Sequence, residues 1–170
     1  MKNVMTIGVD LAKHVFFAVA LDEQGQRVWR KKLRRGEVER FFAQQPPARI
    51  ALEACASAHY WARRLIALGH KVVVLPPQHV KGYLRGQKND YNDAEALAEA
   101  LQHGRIRAVA IKSPADQDRQ SLDRLRQHWV DEQRRLINQL RGLLAEYGQA
   151  SLRSHERFWD IQVHQNRFDL

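Results

Sequence analysis

Cysteine occurs once in the 170 residues, at Cys55, which excludes an internal disulfide framework and suits a reducing compartment. Long apolar runs are missing as well. None approaches the roughly 18 residues of a membrane span, and strand-type residues begin almost at the first position with no signal-peptide pattern before them. Both absences point to a cytoplasmic protein. Acids are the scarcer charge, 19 against 28 lysines and arginines, for a net charge of +9. That imbalance favours an anionic polymer as partner, most simply nucleic acid, and speaks to partners rather than to fold. The length allows one domain with a real core and one appendage.

What is present is a series of strand-like segments built around residues 6–21. Residues 4–9 and 15–21 are almost wholly apolar and of strand length, so both read as strands covered on two faces. A turn at Asp22-Glu23-Gln24-Gly25 leads into 26–32, a more polar and basic stretch that reads as an edge strand. Residues 36–45 read as a short helix stopped by Pro46-Pro47. A short strand at 49–53 follows, then a helix that Ser57 is placed to cap, with Ala58, Trp61, Ala62, Leu65 and Leu68 on one stripe before Gly69. Residues 71–75 form another buried strand, closed by Pro76-Pro77. A Gly- and Lys-bearing connection, 78–88, precedes a helix from about 89 to 103.

Strands joined by tight turns pair antiparallel, whereas strands separated by helices form parallel right-handed crossovers. The order therefore predicts an α/β, RNase H-like fold over residues 1–112, a mixed five-stranded sheet with flanking helices, with 108–111 as a linker or minor strand. Beyond Pro114 the pattern changes. Leu122, Leu125, Trp129, Leu136, Leu140, Leu143 and Tyr147 recur at threes and fours with charges between them. This spacing predicts a long coiled-coil-like helix or helical hairpin over 113–148, packed either on a partner helix or back on its own domain. Residues 149–170 have aromatics without a period and stay unassigned.

Four carboxylates stand out by position. Asp10 sits where the first strand ends, Glu53 where the fourth ends, and Asp90 and Asp93 open the 89–103 helix. A carboxylate at the mouth of a buried strand is costly unless a cation or donors meet it. Taken alone, Asp10 reads equally as a turn former, and Asp90 and Asp93 as acids that complement a helix dipole. The apolar helix face, Ala94, Leu97, Ala98 and Leu101, steps back four residues onto Asp90 and Asp93, whereas Glu95 and Glu99 point away. In the expected fold the two strand ends and this helix face converge on one edge of the sheet. Asp10, Glu53, Asp90 and Asp93 then share a site, where without a cation they would raise one another's pKa. Hard oxygen ligands with open positions suit Mg²⁺ or Mn²⁺, and two such ions serve phosphoryl transfer.

Three stretches, Gly8-Val9-Asp10-Leu11-Ala12-Lys13, Glu53-Ala54-Cys55 with Ser57-Ala58-His59-Tyr60-Trp61-Ala62-Arg63, and Lys88-Asn89-Asp90-Tyr91-Asn92-Asp93-Ala94-Glu95-Ala96, carry a resemblance. They resemble, in the same order, motifs of the DEDD transposases of bacterial insertion sequences, a family that includes the pilin-gene invertase and the bridge-RNA-guided recombinases. The resemblance runs from about Met5 to Tyr147. It implies a RuvC-like catalytic domain in which Asp10, Glu53, Asp90 and Asp93 are the catalytic, metal-binding tetrad. It further implies DNA recombination during transposition, on the bacterial nucleoid, with a structured guide RNA as partner and the long helix as a dimerisation element. Ala56 stands where the family often has Gly, and Gly82 and Tyr91 where Pro and a small residue are common. Family members also carry a C-terminal domain with a nucleophilic serine. Ser151 and Ser154 lie in no matching motif, so full activity is expected to need that separate serine domain.

Basic residues complete the reading. Lys81, Arg85 and Lys88, with Gly82 and Gly86 among them, would grip substrate phosphates beside the acids, or form a solvated loop. Arg30 and Lys32, within the basic run 27–35, could hold an RNA or DNA backbone, or simply be solvated. Lys13 is a further phosphate contact near Asp10, and His14 reads as structural. Cys55 and His59 lack companions for a soft-metal site, so Cys55 is expected in the core; Trp61 and Trp129 are expected in a core or an interface. Two other functions fit these features: a stand-alone junction-resolving nuclease, and a truncated non-catalytic product that regulates a transposase or binds its RNA.

Overall fold

The computed structural model describes residues 6–84 and 89–148, and its sheet is assembled outward from β1 (Thr6–Asp10). β1 pairs antiparallel with β2 (Val15–Leu21) and parallel with β4 (Arg49–Glu53). β3 (Arg27–Arg34) joins β2 antiparallel, and β5 (Lys71–Leu75) joins β4 parallel, giving the order β3-β2-β1-β4-β5. This is the RNase H-like mixed sheet that the order of elements predicts. The β2–β3 hairpin closes on Asp22, whose carboxylate accepts the Gln24 and Gln26 backbone N–H groups while Gly25 takes a φ of 73°. β3 runs two residues past the expected 26–32 because Leu33 and Arg34 still find register partners in Phe16 and Val15.

Strand alternation sorts the side chains onto two faces. Ile7, Val9, Phe16, Ala18, Ile50, Leu52 and Val74 share a buried cluster with Phe42 of α1 (Val38–Ala43) and with Trp61, Ala62 and Leu65 of α2 (Ala58–Ala67). On the opposite face Val19, Leu21, Ala51 and Leu75 meet Ala94, Leu97, Ala98 and Leu101 of α4 (Asp90–His103). β1 is buried on both faces, as its apolar run requires. The helix expected over 36–45 is split into a 3-10 turn, Arg35–Glu37, and α1. Pro77 opens a short helix, α3 (Pro77–Val80), where a fixed proline φ suits a first helical position, and a 3-10 turn follows at Lys81–Tyr83. Within 108–111 a single antiparallel bridge links Val109 to Val74.

Three local expectations are corrected. Ser57 occupies the N-cap position of α2 but makes no capping bond, because its backbone is left-handed, with φ 72°, where an oxygen-to-amide cap needs extended geometry. Cys55 is exposed rather than in the core. After β4 the backbone turns, with the Cys55 N–H donating to the Glu53 carbonyl, and the thiol leaves the sheet edge. The His14 side chain is exposed too, and it is its carbonyl that serves the fold, accepting the Arg35 N–H at 2.9 Å.

The chain divides into two compact units at Pro114/Ala115. The described part of the second is a single 33-residue helix, α5 (Pro114–Glu146), not a hairpin. Pairs one turn apart, Asp116–Arg119, Asp131–Arg134 and Glu132–Arg135, lace its surface. Its apolar stripe is open: Leu122, Leu125, Trp129, Leu136 and Leu143 are all exposed, Trp129 to 66%. Gly148, at φ 70°, follows its end.

Candidate metal centre

Alternation along β1 puts Gly8 and Asp10 on the face that α4 covers. A Cβ at Gly8 would lie 1.9 Å from the Ala94 carbonyl oxygen and 2.6 Å from the Ala98 nitrogen. The helix therefore rests on the bare backbone of β1, which brings its first turn to the end of that strand. Asn89 caps α4: its backbone is extended and its side-chain oxygen accepts the Asn92 N–H at 2.9 Å. With Asn89 as the cap, Asp90 and Asp93 are left to face the strand end.

One carboxylate oxygen from each of Asp10, Asp90 and Asp93 lies within 4.8 Å of the other two. Glu53 is not in this 4.8 Å group, although its charge also acts on Asp10. It ends β4 and lines a pocket of about 410 Å³ together with Asp93 and Lys81. The Asp10 carboxyl is pushed up to about 6, first by burial and then by the charges of Asp93, Asp90 and Glu53, against one bond from the Leu11 backbone. Converging hard oxygen donors that repel one another fit a divalent cation of the Mg²⁺ or Mn²⁺ type, whose charge would reverse that upward shift.

The expected phosphate-binding cations divide into groups. Arg30 and Lys32 share the α4 side of β3, the Arg30 guanidinium 5.0 Å from the Tyr91 ring and the Lys32 ammonium 5.6 Å from the Phe17 ring. Those two rings meet edge-on at 4.9 Å. Such contacts contribute about 0.5–1 kcal/mol at exposed sites, enough to orient the cations over the Tyr91 and Phe17 rings without consuming their charge. Arg27 instead pairs with Glu95 at 3.3 Å, so Glu95 reaches across to β3 rather than pointing away. Lys81 joins the pocket of Glu53 and Asp93, and Lys13 lies exposed in the β1–β2 turn. Arg85 and Lys88 fall outside the described residues.

Sequence reading missed Tyr91 as a ring partner of Phe17 and Arg30, although strand alternation on β3 already set Arg30 and Lys32 on one face. Arg35 ends the basic run 27–35 that the sequence singles out, but nothing in that run announces its ring contacts: the guanidinium lies 5.2 Å from Trp61 and 5.9 Å from Phe16.

Comparison with known proteins adds a separate line of observation. Residues 7–149 match the model of the DEDD family of IS110 type, described as transposase. The chain is 47% identical over 146 residues to a probable family 20 transposase of Pseudomonas aeruginosa, covering 86% of this chain and 43% of that protein. It is 37% identical over 160 residues to the transposase for insertion sequence element IS1111A of Coxiella burnetii, covering 94% and 44%. With the transposase for element IS1328 of Yersinia enterocolitica it shares 36% over 148 residues, covering 87% and 44%. The chain thus spans less than half the length of these curated relatives.

Proposed function

The chain belongs to the DEDD transposase family, and from that premise we propose that it forms the metal-dependent, phosphodiester-cleaving part of an insertion-sequence DNA recombinase. The observation that carries this reading is the meeting of Asp10, Asp90 and Asp93 oxygens within 4.8 Å in a chain of this family. Asp10, Asp90 and Asp93, with Glu53 across the pocket, are the ligands. When bound, the cations supply an activated nucleophile and neutralise charge at the leaving oxygen. The protein's own part is positional. β1 and α4 fix the carboxylates against each other, and Lys13, Lys81, Arg30 and Lys32, together with Arg85 and Lys88, take backbone phosphates. The net charge of +9 supports a polyanionic partner. DNA as substrate, a structured guide RNA, a second copy paired along α5 and a separate serine-bearing domain complete the proposed assembly.

Calorimetric titration with Mn²⁺ and with Mg²⁺, on this chain and on an Asp10→Asn/Asp93→Asn variant, tests the site. The expected result is binding that the variant loses. Equal heats from both proteins would remove the acids from any metal site, and the non-catalytic, regulatory reading would then take the lead.

A further inference from the structure

A second pocket, of about 340 Å³, opens between the β1–β2 turn and the start of α2, with Lys13, Arg35, Cys55 and Ser57 in its lining. We propose that this pocket anchors one backbone phosphate of the nucleic-acid strand whose neighbouring phosphate lies at the acids; the inference rests on the nucleic-acid reading above.

Arg35 is held for such a task from two directions. Its backbone N–H donates to the His14 carbonyl, and its guanidinium lies against the Trp61 and Phe16 rings. Stacking fixes the plane of a guanidinium and leaves its edge N–H groups free for the two-pronged pairing that a phosphate offers. Four arginines of this unit are committed elsewhere: Arg27 to Glu95, Arg64 to Glu39, Arg49 to the Leu101 carbonyl and Arg63 to that of Lys112. Arg35 and Lys13 have no ion-pair partner among the described residues. Two uncompensated cations, one of them oriented, facing a pocket with no carboxylate in its lining, describe an anion site. The Ser57 hydroxyl, released from capping by its left-handed backbone, adds a neutral donor. Leu11 and Ala12, which directly follow Asp10, and Cys55, two residues past Glu53, share the same lining, which places the pocket next to the acids.

Cys55 is the sole cysteine and therefore a built-in reporter. The experiment follows alkylation of Cys55 in the full 170-residue chain, alone and with saturating single-stranded DNA or RNA of one sequence, while fluorescence anisotropy measures binding of the same oligonucleotides. The expected result is slowed alkylation in the complex, and the better protector identifies the strand. Lys13→Ala and Arg35→Gln should each abolish the protection and lower the slope of log affinity against log salt by about 1. Lys13 is exposed in a turn, so its variant carries the test if Arg35→Gln fails to fold. Oligonucleotide binding with Cys55 reacting at its free rate would overturn the pocket and leave the nucleic-acid reading intact. Protection that survives both substitutions would overturn it equally. Failure to bind either oligonucleotide would overturn the underlying reading and the pocket with it.

Discussion

Asp10 holds its charge against the surroundings that the fold gives it. Burial and three nearby carboxylates lift its carboxyl from 3.8 to about 6, above its value in an unfolded chain. The folded protein therefore binds the extra proton, and stability falls as pH rises through the window from 3.8 to 6. In metal-free buffer at pH 7 the penalty is fully present. Asp10→Asn should then be more stable than the wild type by about 1–2 kcal/mol, a figure reduced for the partial exposure of the side chain. Thermal melts in EDTA check this: the gain should shrink as pH falls towards 3.8, and a variant no more stable at pH 7 would show that the carboxylates do not strain the fold. Asp10, Asp90 and Asp93 were legible because strand ends and four-residue helical steps are written in the chain. The exposure of Cys55 was not, since it depends on how the backbone turns after β4.

The joint between β1 and α4 is where two elements make one site. Gly8→Ala would drive a methyl into the Ala94 carbonyl, 1.9 Å from where its Cβ must go. Overpacking of this kind costs about 1–3 kcal/mol or more, and the relief available is a shift of α4 that carries Asp90 and Asp93 off Asp10. Denaturant melts and Mn²⁺ titration should therefore both suffer. Gly36→Ala, where nothing lies within 4 Å, should stay within about 0.5 kcal/mol of wild type and serves as the control. At the start of α4, Asn89→Ala removes the bond to the Asn92 N–H and should cost about 1 kcal/mol in the same melts. The elements themselves were readable from apolar runs and proline or glycine stops. Ser57 as a cap was misread, because residue type announces a cap whereas backbone angle decides it.

For the molecule as a whole, α5 poses the question of what its apolar stripe covers. One helix formed instead of a hairpin because no proline or glycine interrupts residues 115–141, so the heptad-like period runs straight through. Periodicity gave the stripe but not its occupant, since a partner helix and the chain's own domain present the same apolar surface. Pairing along α5 predicts a dimer in sedimentation experiments that Leu125→Lys/Trp129→Lys returns to the mass of one chain. The variant should also lose helix signal, as a lone helix gains little from its own hydrogen bonds. An unchanged mass would remove α5 as the pairing surface. The contact of Gly8 with Ala94 bears, finally, on how the fold opens. The approach that fills this side of the core also sets the spacing of the acids, so the carboxylate cluster should come apart in the same step that lifts α4 from β1.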